Sequence, residues 1–173
     1  MPHPTRTGLL ALLLAPWLMM QAAAAPDALP VPDGEVVLTV TGDIAVANAP
    51  GAAQFDLGML KSLGPETIQT TTIWTDGVQA FTGVPLYRLL DRLGVTDGVL
   101  EARAINDYAA EIPLSDAVPG GPLIAWQRNA DLMTVRDHGP LWIIYPYDSS
   151  DAFRTETHYS RSIWQLERIN VHP

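Results

Sequence analysis

The chain has 173 residues, 47% of them hydrophobic, with 10 basic and 19 acidic residues and no cysteine. Its length is that of about one domain with a core of its own. The acidic balance opposes binding to nucleic acid or anionic lipid, and without cysteine the chain has no disulfide, thiolate nucleophile or thiolate metal ligand.

The first 24 residues have the layout of a secretory signal peptide. Weak positive charge at His3 and Arg6 precedes an apolar run over residues 9–20, and small residues suited to cleavage after Ala24 follow. The run is shorter than the roughly 20 residues that span a bilayer. We therefore expect a periplasmic or secreted protein, without membrane insertion after cleavage, that retains 9 basic and 19 acidic residues.

The segment after the expected cleavage site is rich in proline. Residues 25–34 contain three prolines and predict a tether or a segment lying along the domain surface. The domain itself is expected to span residues 35–173. Alternation in residues 35–41 predicts a half-buried first strand, and the small residues at 45–54 predict a loop.

Two helices are predicted in the first half of the domain. Asp56 is placed to cap a short helix that Gly64 ends. A second helix begins at Pro85, carries a stripe of four leucines within residues 86–93, and ends at Gly94.

Strands are predicted around these helices. The β-branched residues 66–74 predict a strand that a turn at 76–77 ends, and residues 99–104 and 108–112 predict a pair of strands joined by a tight turn. The three threonines within 66–74 have two interpretations, as pocket lining or as an exposed strand face, and strand propensity favours the second.

The most informative stretch is residues 123–146. It predicts a strand over 123–127, a polar turn at 128–131, a corner at His138-Gly139-Pro140, and a buried strand over 141–145. A long polar loop, residues 147–161, and a final strand over residues 162–171 complete the predicted fold. Long polar loops carry function more often than ordinary connections do.

Seven segments taken in order carry a family resemblance: LTVTGDI, FDLGMLKSL, FTGVPLYRLLDRLG, DYAAEIPLSD, LIAWQRNADLM, HGPLWIIYP and RSIWQLERINV. Together they resemble the oxidoreductase molybdopterin-binding domain family. The resemblance implies the sulfite oxidase fold: an α+β domain with a mixed, largely antiparallel sheet and two or three short helices. It also implies molybdopterin as cofactor.

The chain departs from that family at three positions. The resemblance implies a molybdenum-ligating cysteine within residues 70–74, where none stands, and a cofactor-contacting arginine where the chain has Trp142. The family's Asn-Gly turn is Asn129-Ala130 here. Arg161 lies near the position of basic residues that contact the pterin phosphate.

The hard hydroxyl of a threonine cannot replace a thiolate as metal ligand, so we expect a non-catalytic ligand-binding or sensing module. The alternative is a molybdopterin-dependent oxidoreductase acting on a small oxyanion or a sulfoxide.

Four residues are candidates for contacts with a ligand or cofactor: Arg154, His158, Arg161 and His138. The first three form the densest positive group, either a binding site or a solvated salt-bridge cluster paired with Asp151 and Glu156. His138 either fixes its corner through a backbone contact or acts as a pocket acid or base. Glu156 and His158 would share one face of an extended segment, but no further metal ligands stand at recognisable spacing.

Four tryptophans, at positions 74, 126, 142 and 164, are predicted on strands, with at least three in the core or in groove walls. A tryptophan-lined groove with the three cations at its mouth would suit a small anionic or planar ligand. A periplasmic protein is the other partner that we expect.

Overall fold

The computed structural model describes residues 28–173, so the expected signal peptide lies outside the described residues. Within them the chain forms ten strands and three α-helices. The strands are β1 Val36–Gly42, β2 Ala52–Asp56, β3 Glu66–Thr72, β4 Thr75–Pro85, β5 Val99–Ala104, β6 Ala109–Pro113, β7 Leu123–Arg128, β8 Asp131–Leu132, β9 Trp142–Ile144 and β10 Leu166–His172. The helices are α1 Leu57–Ser62, α2 Leu86–Leu93 and α3 Glu156–Arg161.

The strands are divided between two sheets. The first has the order β2-β1-β10-β5-β6, in which β1 and β10 run parallel and the other neighbours antiparallel. The second has the order β3-β4-β7-β8, with β9 also paired to β7, and is antiparallel throughout. The predicted α+β class, with mixed and largely antiparallel pairing and three short helices, is confirmed.

The main core is built from the helical leucine stripe and the apolar strands that face it. The four leucines of α2 at positions 86, 89, 90 and 93 are buried, as their helical spacing predicts, and Gly94 ends the helix in the left-handed conformation with a φ of 71°. Strands β7 and β9 contribute buried residues on both faces, because the second sheet packs on the main core with one face and on a smaller cluster around Phe81 and Trp142 with the other.

Asp56 joins the amino-terminal segment to the domain. One carboxylate oxygen accepts a hydrogen bond from the Met59 N–H at 2.8 Å, which caps α1, and the other accepts from the N–H groups of Asp33 and Gly34 at 2.9 Å each. Leu29 is buried in the main core. Residues 28–34 therefore lie against the domain.

Two connections in the first half differ from the predictions. Part of the predicted loop at residues 45–54 belongs to β2, whose small alanines are buried against β1, so tertiary pairing overrides their weak strand propensity. The hairpin between β3 and β4 turns at residues 73–74, and Asp76 and Gly77 lie inside β4. The predicted turn at Asp76-Gly77 is wrong, because this pair lies beside an irregularity in the β3–β4 register instead.

The carboxy-terminal quarter also differs. Residues 147–161 are not an open loop: they contain a 3-10 turn, Asp151–Phe153, and α3, whose amino end Thr155 caps. The last strand begins at Leu166, because Gln165 has a positive φ of 53° that interrupts the extended chain. None of the helices in residues 28–173 has the length and apolar character needed to cross a membrane.

Gly83 provides a test of how closely β4 and β7 approach each other. A Cβ atom at this position would lie 2.2 Å from the Ile124 carbonyl oxygen and 2.5 Å from the Ala125 Cα. We expect Gly83→Ala to lower the free energy of unfolding by at least about 2 kcal/mol, because backbone atoms cannot move aside cheaply. Chemical denaturation measures the change. The matched control is Gly34→Ala, whose Cβ would meet only ordinary contacts at 3.5 Å or more; equal stability of the two variants would contradict this strand packing.

Candidate functional site

The two sheets meet at an aromatic cluster, which we define as Trp74, Trp142, Tyr147, Tyr159 and Trp164. Trp74, in the turn between β3 and β4, has ring-centroid distances of 5.7, 6.5, 5.9 and 5.6 Å to the other four in that order. All four contacts are edge-to-face, the arrangement that aromatic quadrupoles favour. Trp74 is thus the central member of the cluster.

A backbone bridge holds this junction in register. Trp142 of β9 pairs with Trp164, which lies just before β10, so the second sheet is joined to the first at this point. The Ile143 N–H donates to the Ile163 carbonyl at 2.8 Å, and the Leu166 N–H donates to the Leu141 carbonyl at 2.9 Å. The tryptophans are therefore positioned by strand pairing as well as by ring packing.

Beside the cluster lies a pocket of about 410 Å³, which we call the aromatic pocket. Its wall residues come from three places: the turn between β5 and β6, the end of α3 with the segment after it, and the β3–β4 turn. They are Trp74, Ala104, Asn106, Tyr108, Tyr159, Ser160, Ser162, Ile163 and Trp164. The volume and the apolar, aromatic lining with a few polar groups are typical of a small-molecule site. No charged residue is among these lining residues.

The polar groups at and next to the lining residue Ser162 are already hydrogen-bonded within the protein. The buried Ser162 hydroxyl bonds to the Tyr147 hydroxyl and donates to the His158 carbonyl at 2.8 Å. The Trp142 indole N–H donates to the Ser162 carbonyl at 3.2 Å. Burial raises the pKa of Tyr147, so its phenol stays protonated. These groups fix the position of the pocket wall and are poorly suited to act as nucleophile or base.

Arg161, the last residue of α3, forms an ion pair with Asp116. Its Nη1 lies 2.9 Å from Asp116 Oδ2, and the Tyr145 hydroxyl donates to the same oxygen at 2.7 Å. The two charged side chains are 22% and 13% exposed, so this ion pair is largely screened from solvent. Burial, with the neighbouring Asp116 charge, raises the pKa of Tyr145. The arrangement fastens α3 to the turn that precedes β7.

Arg154 is held by other acids. It contacts Asp148 at 2.8 Å and Asp151 at 3.3 Å. Asp148 also accepts hydrogen bonds from the Thr71 N–H at 2.6 Å and the Thr71 hydroxyl at 2.7 Å, and these bonds lower the pKa of Asp148. The threonines of β3 thus tie the segment after β9 to the sheet edge, a role that neither interpretation of them predicted.

The third cation of the predicted group, His158, is directed toward other rings. Its Nδ1 lies 2.8 Å from the Thr155 hydroxyl, and its ring packs edge-on against Tyr145 and Phe153 with centroid distances of 5.0 and 5.4 Å. Because this segment is helical, Glu156 and His158 do not share a face, and the idea of a metal pair in an extended segment is wrong. His158 and Arg161 both lie near Tyr145, whereas Arg154 faces β3.

His138 contacts two members of the aromatic cluster, Trp142 and Trp164. Its ring lies 4.5 Å from Trp142 at an interplanar angle of 16°, and 5.3 Å from Trp164 at 84°. It stands in the left-handed conformation with a φ of 72°, and its carbonyl accepts the Gln165 N–H at 2.9 Å. Its Nδ1 is buried without a partner among the described residues. Burial, with the charge of Arg128, lowers the pKa of His138.

These residues do not fit a molybdopterin cofactor. In the region that the resemblance assigns to the cysteine ligand, Thr70 is buried with its hydroxyl bonded to the Asp148 N–H at 3.1 Å, and Trp74 is enclosed by four rings. The chain has no cysteine to supply a thiolate. Arg161, which the resemblance places near the pterin phosphate, and Arg154, the other candidate arginine, are both paired with carboxylates.

Sequence reasoning found part of the aromatic pocket. Trp74 and Trp164 line it, as the predicted tryptophan groove requires, although both lie just outside strands. The other two predicted tryptophans, at 126 and 142, are buried in strands. Tyr108 and Tyr159 were missed as lining residues. Tyr108 directly follows a predicted tight turn and is 53% exposed, a position where an aromatic side chain is a signal of a binding surface.

Comparison with known proteins supports the fold. No known protein family and no curated protein sequence matches the chain. Among solved structures, it is similar to the sulfane dehydrogenase SoxCD from Paracoccus pantotrophus, with a TM-score of 0.61 and 16% identity. The match covers 84% of this chain and 40% of that chain, so this chain corresponds to less than half of the enzyme chain. The architecture is therefore an α+β fold of the sulfite oxidase type.

Charge reversal at Arg161 tests whether its ion pair stabilises the fold. Arg161→Glu sets a second carboxylate beside Asp116, and we expect it to lower the free energy of unfolding by about 1–3 kcal/mol, since the pair is largely but not fully buried. Thermal and urea denaturation measure the loss. The matched control is Arg154→Glu, in an ion pair whose arginine is 46% exposed, for which less than about 1 kcal/mol is expected. An unchanged stability of Arg161→Glu would instead leave Arg161 available to a ligand.

The buried ring of His138 predicts a pH dependence of stability. Because the pKa of His138 is lowered on folding, the unfolded state binds more protons below the ordinary value of 6.5, and stability is lost as the pH falls through that value. We expect the melting temperature to decrease less between about pH 7.5 and pH 5 in His138→Phe, which keeps a flat ring on Trp142 but cannot ionise. Equal slopes for His138→Phe and wild type would contradict the assignment.

Proposed function

We propose that the protein is an exported, non-catalytic module that binds a small organic ligand in the aromatic pocket, either as a carrier or as a sensor. One observation carries this proposal. In a fold of the sulfite oxidase type, residues 70–74, the region to which the family resemblance assigns the metal ligand, contain no cysteine, and Trp74 at the end of this region packs against four rings and forms a wall of the pocket. The pocket is present, and the chain has no thiolate to hold a metal.

The groups around the pocket support binding rather than bond-breaking chemistry. Ser162, a lining residue, hydrogen-bonds to Tyr147, and burial raises the pKa of Tyr147. His138 stacks on Trp142 and is not a lining residue. General acid–base catalysis requires a suitable titratable group within hydrogen-bond reach of the ligand, and the lining residues among those described include no histidine, carboxylate or lysine.

The lining residues also indicate which class of ligand the pocket binds. A flat or rounded organic molecule finds ring surfaces on several sides, whereas an anion would need an arginine released from Asp116 or Asp148. Of the two expected ligand classes, the anionic one is therefore disfavoured. A periplasmic protein remains the other partner that we propose, and the layout of residues 1–24 supports export.

The second candidate function is a molybdopterin-dependent oxidoreductase acting on a small oxyanion or a sulfoxide. The similarity in fold to SoxCD, described as a sulfane dehydrogenase, favours it. The absence of cysteine from the sequence opposes it.

Analysis of the protein purified from its native export route tests the proposal. We expect an amino terminus at Ala25 and molybdenum and pterin contents far below one per chain, because no thiolate is available to hold the metal. A known molybdopterin enzyme purified alongside controls for loss of cofactor. Near-equal amounts of molybdenum, pterin and protein, together with sulfite- or sulfoxide-linked turnover, would establish the oxidoreductase instead.

A further inference from the structure

We propose that the aromatic pocket selects an organic cation, specifically a methylated ammonium group such as that of choline, over uncharged and anionic molecules of similar size. This inference rests on the proposed function and specifies its ligand class. Three features of the described residues carry it: the mutual orientation of the rings, the charge of the lining, and the partners of the nearby arginines.

The orientation of the rings favours a rounded ligand. The plane of Trp74 makes angles of 76° with Trp164 and 87° with Tyr159, and all three rings line the pocket. A flat ligand can stack on one such wall only, whereas a tetrahedral ammonium group presents a methyl surface to each. Ring faces attract cations through their quadrupole, and several ring walls around one cation form the known mode of recognition for quaternary ammonium groups.

Charge favours a cation over an anion. The described lining residues include no arginine, lysine or histidine, and the whole chain has a formal net charge of −9. Asp107 lies at the turn between Asn106 and Tyr108, which both line the pocket, and its side chain is 74% exposed. Its carboxylate is partly offset by Arg168 at 3.4 Å and Arg103 at 3.9 Å. The long-range field of the acidic chain still raises the local concentration of cations.

Arg161, which lies between two lining residues along the chain, does not make the pocket positively charged. Arg161 lies between the lining residues Ser160 and Ser162, but its guanidinium is directed to Asp116 at 2.9 Å. A methylated ammonium is also less strongly hydrated than a primary ammonium, so it enters an apolar site at lower desolvation cost. The pocket volume of about 410 Å³ lies within the usual range for small-molecule sites and accommodates such a group with its substituent.

Calorimetric titration with three probes tests the proposal. The probes are choline, its uncharged isostere 3,3-dimethyl-1-butanol, in which carbon replaces the ammonium nitrogen, and the planar anion 1-naphthoate. We expect saturable choline binding that is roughly ten-fold or more tighter than binding of either other probe, because only choline gains the cation–π attraction.

Variants of Tyr108 locate the site. Tyr108→Leu removes a half-exposed lining ring, and we expect it to weaken choline binding about five-fold or more with little change in melting temperature. Tyr108→Phe, which keeps the ring, should bind like wild type. The matched control is Tyr87→Leu, which removes a tyrosine ring on α2 that does not line the pocket and should leave the affinity unchanged.

Each outcome separates the ligand class from the proposed function. Equal affinity for choline and the isostere, with both lost in Tyr108→Leu, would overturn the cation preference and leave a ligand-binding pocket in place. Tighter binding of 1-naphthoate would overturn it in favour of an anion. Choline binding that Tyr108→Leu does not affect would show that the cation binds elsewhere and would also overturn the inference. Binding of none of the probes would count against both proposals.

Discussion

The pairing of Trp142 with Trp164 is the contact on which the rest of the structure depends. It is the point where the second sheet, through β9, meets the chain entering β10 of the first sheet. Trp74 fits against both indoles, with centroid distances of 5.7 and 5.6 Å, and so brings the β3–β4 turn to the same place. Packing of this kind combines large buried area with specific ring geometry, which makes the junction both stable and directional.

The aromatic pocket follows from this junction. Once Trp74 and Trp164 are fixed, α3 is held on one side by the Arg161–Asp116 ion pair, and Tyr159 is placed against Trp74. The turn between β5 and β6 closes the other side. A cavity forms because the turn and the helix are each anchored by their own contacts and neither can collapse onto the indoles. The residues that line the pocket are therefore held in place by the contacts that join the two sheets.

The end of β3 and the turn after it supply no thiolate ligand for a metal. Thiolate ligation needs a cysteine directed into the site. Here the equivalent strand end carries Thr70, which is buried and bonded to the Asp148 N–H, followed by Trp74. Thr70 and Trp74, in the region to which the family resemblance assigns the metal ligand, are engaged in a hydrogen bond and in ring packing. Strand pairing does not depend on which side chain stands at the strand end, because backbone groups make the pairing hydrogen bonds.

Local patterns in the sequence determined the elements whose periodicity is strong. The leucine spacing of α2, the contiguous apolar runs of β7 and β9 and the alternation in β5 each predicted the element that forms, because periodicity reports burial directly. Only the tertiary structure decided that β2 forms, that the strands divide into two sheets, and which acids pair with the arginines. Arg154 and Arg161 were grouped by their proximity along the chain, yet Arg154 pairs with nearby Asp148 and Asp151, whereas Arg161 pairs with an acid 45 positions away, and a contact at that distance leaves no local pattern in the sequence.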